Sequence, residues 1–191
     1  MSALQIRGYT LSTTEAYIRD KLGNEEANRV LSELSADTRA ALNSIKPAGW
    51  YPVAAIAELN WAIVQHIGKN DEERAKQVLI DCGRYMGKEA TNTFLRLLMR
   101  MLTPNIFANK LPDFWKRDCN GGRFVTEVTN EKITCRLYET PGFAHVGVVA
   151  TGFVSFALEA MGKQIHKTVI RDWSLAKPNE DGVGFELLWN N

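Results

Sequence analysis

The chain has 191 residues, of which 45% are hydrophobic, and its 23 basic and 22 acidic residues leave a formal charge of +1. This composition predicts one domain with a sizeable core and argues against a disordered chain. The near-zero charge gives no field that would draw the chain to nucleic acid or to anionic lipid.

Residues 1–49 are predicted to form an N-terminal helical subdomain. After a short extended stretch, Ser12 and Glu15 have the spacing of a capping box that opens a helix. Two shorter helices follow, the second over Ala36 to Leu42. The turn signal Lys46-Pro47-Ala48-Gly49 ends this part of the chain, so we place residues 50–191 in a second unit.

The second unit is predicted to begin with long helices. Pro52 lies in the first turn of one, where its missing amide is harmless, and an apolar stripe runs from Ile56 to Ile67. The next helix contains Gly83 and Gly87, which predict a kink or short break near residue 88.

The hydrophobic period changes after Gly121-Gly122. Two segments rich in β-branched and aromatic residues, Arg123 to Val128 and Lys132 to Tyr138, predict an antiparallel hairpin. A helix ending at Gly162 and two closing strands follow. The predicted class is therefore α+β, with helices packed on an antiparallel sheet of about four strands. In the second strand of the hairpin, an alternating set of three side chains is expected to face inward: Ile133, Cys135 and Leu137.

Two absences in the sequence bear on location. No apolar run approaches the ~20 residues of a membrane helix, and the first residues lack a signal-peptide pattern, so we expect a cytoplasmic chain without a membrane span. The three cysteines, Cys82, Cys119 and Cys135, are scattered without C-x-x-C spacing. They predict reduced thiols rather than a disulfide framework or a structural zinc site.

The last forty residues carry a family resemblance. The helix from Thr151-Gly152-Phe153 to Met161-Gly162, with the strand Gly184 to Trp189, resembles the carboxyl-terminal half of the four-vinyl-reductase-type domain. That group shares a superfamily with the heme nitric-oxide-binding domains and the Golgi-transport (TRAPP) subunits. The earlier segments Trp50-Tyr51-Pro52 and Gly83-Arg84-Tyr85 are similar to an uncharacterised family of bacterial paralogues on that fold. The resemblance implies a heme-NO-binding or TRAPP-like fold, and a fold alone does not confer function.

The cofactor motifs of these relatives carry over poorly. Relatives that sense aromatic compounds hold zinc through cysteines beside the last two strands, where this chain has Trp173, Ser174 and Val183. Heme-binding relatives use a proximal histidine with a Tyr-x-Ser-x-Arg motif, which is absent here. We therefore expect no metal and no cofactor, and a heme or metal protein stays open as a less favoured alternative.

Catalytic patterns are absent as well, so we do not expect an enzyme. No Ser/His/Asp ordering, nucleophile elbow, paired carboxylates or phosphate-binding glycine loop stands out. The histidines His66 and His145 are candidates for a ligand pocket, although a structural role, with local hydrogen bonds, is the simpler explanation of each. His166 lies in a predicted strand and fits a solvated or edge position.

Aromatic side chains in the middle third of the chain are the better candidates for a pocket. Trp61, Tyr85, Phe94 and Trp115 could line an apolar cavity and orient a guest through an indole or phenol group. Ordinary core packing explains each of them too. Trp115 stands out because the charged residues that follow it place it near a polar edge.

Together these features predict a non-catalytic sensory or regulatory domain. It would bind a small apolar or aromatic ligand and signal through a homodimer or partner-protein interface. The alternative is a protein-interaction module with a filled core, as in the TRAPP subunits. Nucleic acid is not an expected partner.

Overall fold

The computed structural model describes residues 4–91, 99–140, 144–176 and 182–190. Within these ranges the helices are α1 (Gly8–Leu22), α2 (Asn24–Ser32), α3 (Ala36–Asn43), α4 (Val53–Ala62), α5 (Glu72–Ala90), α6 (Pro104–Asp118) and α7 (Ala144–Ala160), and a π-helical turn (Ile63–Ile67) extends α4. The strands are β1 (Gln5–Arg7), β2 (Trp50–Pro52), β3 (Arg123–Val128), β4 (Lys132–Tyr138), β5 (Gln164–Arg171) and β6 (Val183–Asn190). The predicted α+β class is confirmed. None of the described helices is both long and apolar enough to cross a membrane.

The main sheet has four antiparallel strands in the order β3-β4-β6-β5. Ile133, Cys135 and Leu137 of β4 are all at most 1% exposed, which confirms the predicted inward face. Their partners on β6 are also apolar, with Cys135 opposite Phe185 and Ile133 opposite Leu187. Because α7 packs against this face, the sheet and helix share one core.

The two edges of the sheet differ. α6 packs along β3, where the Thr126 hydroxyl donates a hydrogen bond to the Ala108 carbonyl at 2.9 Å. β5 forms the other edge and pairs with β6 on one side only. Its pairing is interrupted by a bulge between Ile165 and Lys167, and Lys167 and Arg171 are exposed.

The N-terminal helix begins earlier than the sequence predicts. α1 starts at Gly8, so the capping-box assignment is wrong, and the Ser12 hydroxyl instead donates to the Tyr9 carbonyl at 3.0 Å. The pairing of β1 with β2 moves the helix start, because the Gly8 amide donates to the Gly49 carbonyl at 2.9 Å. This pair joins both sides of the domain boundary placed at residue 49, which stays a prediction.

α5 and α7 cross at very close range, and three glycines permit it. A Cβ on Gly83 would lie 1.8 Å from the Val149 carbonyl oxygen, and one on Gly152 would lie 1.8 Å from the Ile80 carbonyl oxygen. A Cβ on Gly87 would meet the Phe156 ring. The short break predicted near residue 88 is found two residues later, since α5 ends at Ala90 and Thr91 is extended. Gly83 and Gly87 themselves lie within α5 and serve helix packing.

The buried side chains form two cores. One joins α1 to α5 with the first turns of α7, and its members include Leu11, Leu59 and Val148. The other joins α6, the main sheet and the second half of α7, with Phe185 and Trp189 among its largest members. α7 contributes to both, so the space between the two cores lies along this helix.

Candidate ligand-binding cavity

A cavity of about 1160 Å³ lies between the two cores. Small-molecule sites in proteins usually range from roughly 300 to 1,000 Å³, so this one accommodates a large guest. α1, α4 and α5 contribute to one part of its wall, and α6 and α7 to another. Most of the wall is carbon, from side chains such as Ile56, Met86, Phe107, Phe153 and Val154.

Exposed members of the wall mark the mouth of the cavity. Met101 is 80% exposed, and Leu102 and Phe114 are exposed as well. Such side chains are normally buried, so the mouth is an apolar opening. Arg117, whose side chain is 60% exposed, also belongs to this part of the wall.

Four polar residues of the wall are connected to one another near the mouth. Arg117 forms two hydrogen bonds to the Asp118 carboxylate at 2.6 and 2.7 Å, and the Tyr9 hydroxyl donates to the same carboxylate at 3.0 Å. Burial and the Asp118 carboxylate raise the pKa of Tyr9 to about 12. The Arg7 guanidinium donates to the carbonyls of Ala48 and Arg117 and lies over the Trp50 ring. These four residues comprise two cations and one anion.

A buried polar side chain in the described part of the wall has no hydrogen-bond partner there. Asn60 of α4 is 1% exposed, and neither its Oδ1 nor its Nδ2 has a hydrogen-bond partner among the described residues. Burying an amide without partners costs about 1–3 kcal/mol. Thr14, also in the wall and 0% exposed, differs because its hydroxyl donates to the Thr10 carbonyl at 2.8 Å.

Of the predicted site residues that the structure describes, Trp115 alone lines the cavity. Its indole Nε1 donates to the Gly121 carbonyl at 2.9 Å, and its ring packs beside Phe124. Phe94 lies outside the described residues. Tyr85 packs edge-on against Tyr17. His66 lies away from the cavity wall, with Nε2 3.5 Å from the Glu33 carboxylate. Whether any of these residues binds a ligand stays a prediction.

Trp61 and His145 are brought together outside the cavity wall. The Trp61 indole, 37% exposed, stacks on the His145 ring with centroids 5.7 Å apart. On the other side, Trp173 Nε1 donates to His145 Nδ1 at 3.2 Å, which puts the imidazole proton on Nε2. Nε2 is buried without a partner among the described residues. Burial lowers the pKa of His145 from its usual 6.5 to about 4.

Because the imidazole of His145 is buried, we expect the folded chain to lose stability in acid. His145 is neutral in the folded chain down to about pH 4, whereas in the unfolded chain it binds a proton near pH 6.5. Its contribution is therefore complete above pH 6.5 and is lost as the pH falls toward 4, by about 3 kcal/mol in all. Urea unfolding of the unsubstituted chain and of His145→Gln should show this difference between pH 7 and pH 4.

His166→Gln provides the matched control, because His166 is exposed on β5. It should lose stability with falling pH as the unsubstituted chain does. If His145→Gln also loses as much stability as the unsubstituted chain, other groups are responsible for the acid effect.

The three cysteines are free and buried. Cys119 lines the cavity just after α6, and burial raises the pKa of its thiol. Burial also raises the pKa of Cys82 to about 12 and raises the pKa of Cys135. These thiols are protonated at neutral pH and are poor nucleophiles.

The sequence analysis missed the polar residues of the cavity wall. Asn60 falls four residues after Ile56 and three before Ile63, so it interrupts the apolar stripe of its helix. A polar residue in the middle of an apolar stripe was the signal from which Asn60 could have been predicted. Tyr9 and Asp118 are 109 residues apart in the sequence, so no local pattern indicates that they are hydrogen-bonded.

Comparison with known proteins identifies the fold. No protein-family model and no curated protein matches the sequence. Among solved structures, the chain is similar to the unliganded Fe(II) H-NOX protein of K. algicida, with 12% identity, a TM-score of 0.73 and 97% of each chain covered. The S. oneidensis H-NOX protein in the Fe(II)NO state gives 15% identity and a TM-score of 0.58, covering 97% of this chain and 100% of that one. An oxygen-binding H-NOX domain related to soluble guanylate cyclases, in its oxygen complex, has 14% identity to this chain and a TM-score of 0.55. The match covers 97% of this chain and 96% of that domain.

These similarities correct one prediction and narrow another. The expectation of no cofactor, with heme disfavoured, is wrong: the structures compared are H-NOX proteins, described in Fe(II), Fe(II)NO and oxygen-bound states. The heme-NO-binding part of the family resemblance agrees with the fold, whereas none of the three structures is a four-vinyl-reductase or TRAPP protein. At 12 to 15% identity, they establish the fold of this chain.

The cavity wall fits a heme in size, polarity and charge. Among the residues that the structure describes, it does not offer the histidine ligand that heme-binding relatives use. Its volume, apolar surface and excess of one cation near the mouth suit a flat apolar macrocycle with acidic side groups. No histidine is in the described part of the wall. The wall instead includes Tyr9, Met86 and Cys119, and in other proteins heme iron is held by a tyrosine, a methionine or a cysteine thiolate.

Proposed function

We propose that the chain is a non-catalytic sensory domain whose cavity holds heme. The observation that carries the proposal is the large apolar cavity between the two cores, in a chain that shares its fold with H-NOX proteins over 97% of its length. Heme, when bound, supplies an iron that binds diatomic gases reversibly. A heme-bound gas thereby replaces the free apolar or aromatic ligand expected from the sequence.

The chain's own residues have distinct roles in this proposal. Apolar side chains of α6 and α7, such as Phe107 and Val154, contact the faces of the macrocycle and exclude water. Arg7 and Arg117 provide positive charge at the mouth that attracts the acidic macrocycle toward the cavity. Met86, or Tyr9 or Cys119 after loss of its proton, would provide the ligand to iron, because the described part of the wall contains no histidine.

The test is titration of the purified chain with hemin and with metal-free protoporphyrin IX, followed by absorbance. We expect saturable binding of both and at least about tenfold tighter binding of hemin, because a ligand to iron adds to the contacts of the ring. Absence of saturable hemin binding would overturn the proposal. Equal affinities would show that the iron has no ligand from the chain and would contradict gas sensing at that iron.

Three conservative variants identify the iron ligand. Tyr9→Phe, Met86→Leu and Cys119→Ser each remove one donor and keep a similar volume. The variant that lacks the true ligand should shift the main heme absorbance band and lower hemin affinity toward that of protoporphyrin IX. The other two should bind hemin as the unsubstituted chain does.

We also propose that occupancy of the cavity acts on a homodimer or partner-protein interface. A ligand shifts a conformational equilibrium only through different affinities for the two states, so the interface must differ between them. Kinship with the four-vinyl-reductase-type family is part of the same proposal and is supported by the α7 sequence and the closing strands. The cavity argues against the alternative of a module with a filled core.

A further inference from the structure

The buried amide of Asn60 has no partner in the described part of the protein, and neither the apolar ring of a heme nor its iron would provide one. The side chain is 1% exposed, belongs to the cavity wall, and has both amide atoms without partners among the described residues. Buried amides in folded proteins are almost always hydrogen-bonded. Ile56, one turn before Asn60 on α4, lines the wall and is apolar, and Ile63, which begins the π-helical turn, is apolar and buried. Neither side chain offers Asn60 a hydrogen bond.

We infer that Asn60 binds the carboxylic acid group of a mostly apolar guest. An asparagine side chain presents an acceptor and a donor side by side. A neutral carboxylic acid presents the complementary donor and acceptor, so the two groups pair through two hydrogen bonds. Burial favours this neutral form, because loss of water around a carboxylate raises its pKa.

The charges of the wall favour an acid over other groups that carry a donor and an acceptor. Arg7 and Arg117 outnumber Asp118 near the mouth, so the ionised form of an acidic guest is attracted toward the cavity. The acid then takes up a proton from solvent as it is buried beside Asn60. These arginines are already engaged, Arg117 with the Asp118 carboxylate and Arg7 with two backbone carbonyls. Asn60, by contrast, is a buried polar residue of the wall whose two amide atoms have no partner among the described residues.

Two kinds of guest carry such a carboxylic acid group on a mostly apolar body: a porphyrin with its propionic acids, and a long-chain fatty acid. The inference rests on the proposed function only in requiring a guest in the cavity. Two probe pairs separate the sources: protoporphyrin IX with its dimethyl ester, and palmitic acid with its methyl ester. Binding is followed by quenching or enhancement of tryptophan fluorescence, since Trp115 lines the cavity.

The measured quantity is the ratio of acid affinity to ester affinity, in the unsubstituted chain and in Asn60→Leu. We expect a ratio of at least about tenfold for one probe pair, falling toward one in the variant, because the ester lacks the donor that Asn60 Oδ1 accepts. A ratio unaffected by the substitution would overturn the inference, as would failure of both acids to bind. The pair that shows the Asn60-dependent ratio identifies the source.

Thr14→Val is the matched control, since Thr14 is a buried polar residue of the same wall whose hydroxyl has a partner. It should leave the acid-to-ester ratio unchanged and lower the melting temperature of the ligand-free chain. Asn60→Leu should instead raise that temperature by about 2–4 °C, because it removes an unsatisfied buried amide. A lower temperature in Asn60→Leu would mean that the amide is satisfied within the protein and would count against the inference.

Failure of this inference is distinguishable from failure of the proposed function. Hemin binding with an acid-to-ester ratio independent of Asn60 would remove the inference alone. Palmitic acid binding that depends on Asn60, without hemin binding, would remove the heme proposal alone.

Discussion

Replacing Gly83 or Gly152 by alanine is expected to destabilise the chain by at least about 3 kcal/mol, a large share of the ~5–15 kcal/mol that stabilises a typical domain. In each case the new Cβ would lie 1.8 Å from a backbone carbonyl oxygen of the facing helix. Backbone atoms cannot rotate away as a flexible side chain does, so α5 and α7 must separate. Since α7 belongs to both cores, their separation disturbs both.

Urea unfolding followed by circular dichroism measures the effect. Gly184→Ala is the control, because a Cβ there meets its nearest atom at an ordinary 3.7 Å. This control should be neutral or stabilising by about 0.5 kcal/mol, as expected for alanine in place of glycine in a strand. Unfolding midpoints for Gly83→Ala and Gly152→Ala that match the control would show that the helices do not cross as closely as the structure describes.

Filling the cavity is the second change with a large expected effect. Ala150 of α7 is half-buried and lines the cavity, so Ala150→Trp adds an indole to the space proposed for heme. We expect hemin affinity to fall at least about tenfold, because the guest loses apolar contact area worth roughly 25 cal/mol per Å². The same absorbance titration used for the unsubstituted chain measures the loss.

Ala160→Trp is the matched control on the same helix. Ala160 lies at the end of α7 and is not part of the described cavity wall. Its substitution should leave hemin affinity unchanged. Unaltered hemin binding by Ala150→Trp would show that the porphyrin binds elsewhere on the chain.

The fold could be predicted in outline because its signals are local. The change of period after Gly121-Gly122 indicated the hairpin, and the alternation of Ile133, Cys135 and Leu137 indicated which face is buried. The errors arose where distant contacts decide the local structure. Gly83 resembles a helix breaker in sequence, and only the position of Val149 reveals that it is a contact point.

The candidate site was predicted less well for a related reason. Trp61 and Tyr85 were predicted because they are bulky and aromatic, but they pack against His145 and Tyr17. Of the predicted residues that the structure describes, Trp115 lines the cavity. A cavity forms where two packed cores fail to meet, and that depends on the sum of many long-range contacts. Asn60 becomes informative only once its surroundings are known to be apolar.

The edge strand β5 has features that hinder the addition of a strand from a second copy of this chain. A second molecule adding a strand to the sheet would have to follow a backbone whose spacing is broken between Ile165 and Lys167. It would also approach the exposed cations Lys167 and Arg171. Bulges and exposed lysines are features that protect sheet edges from strand addition. Addition of a strand from a second copy to β5 is thus disfavoured.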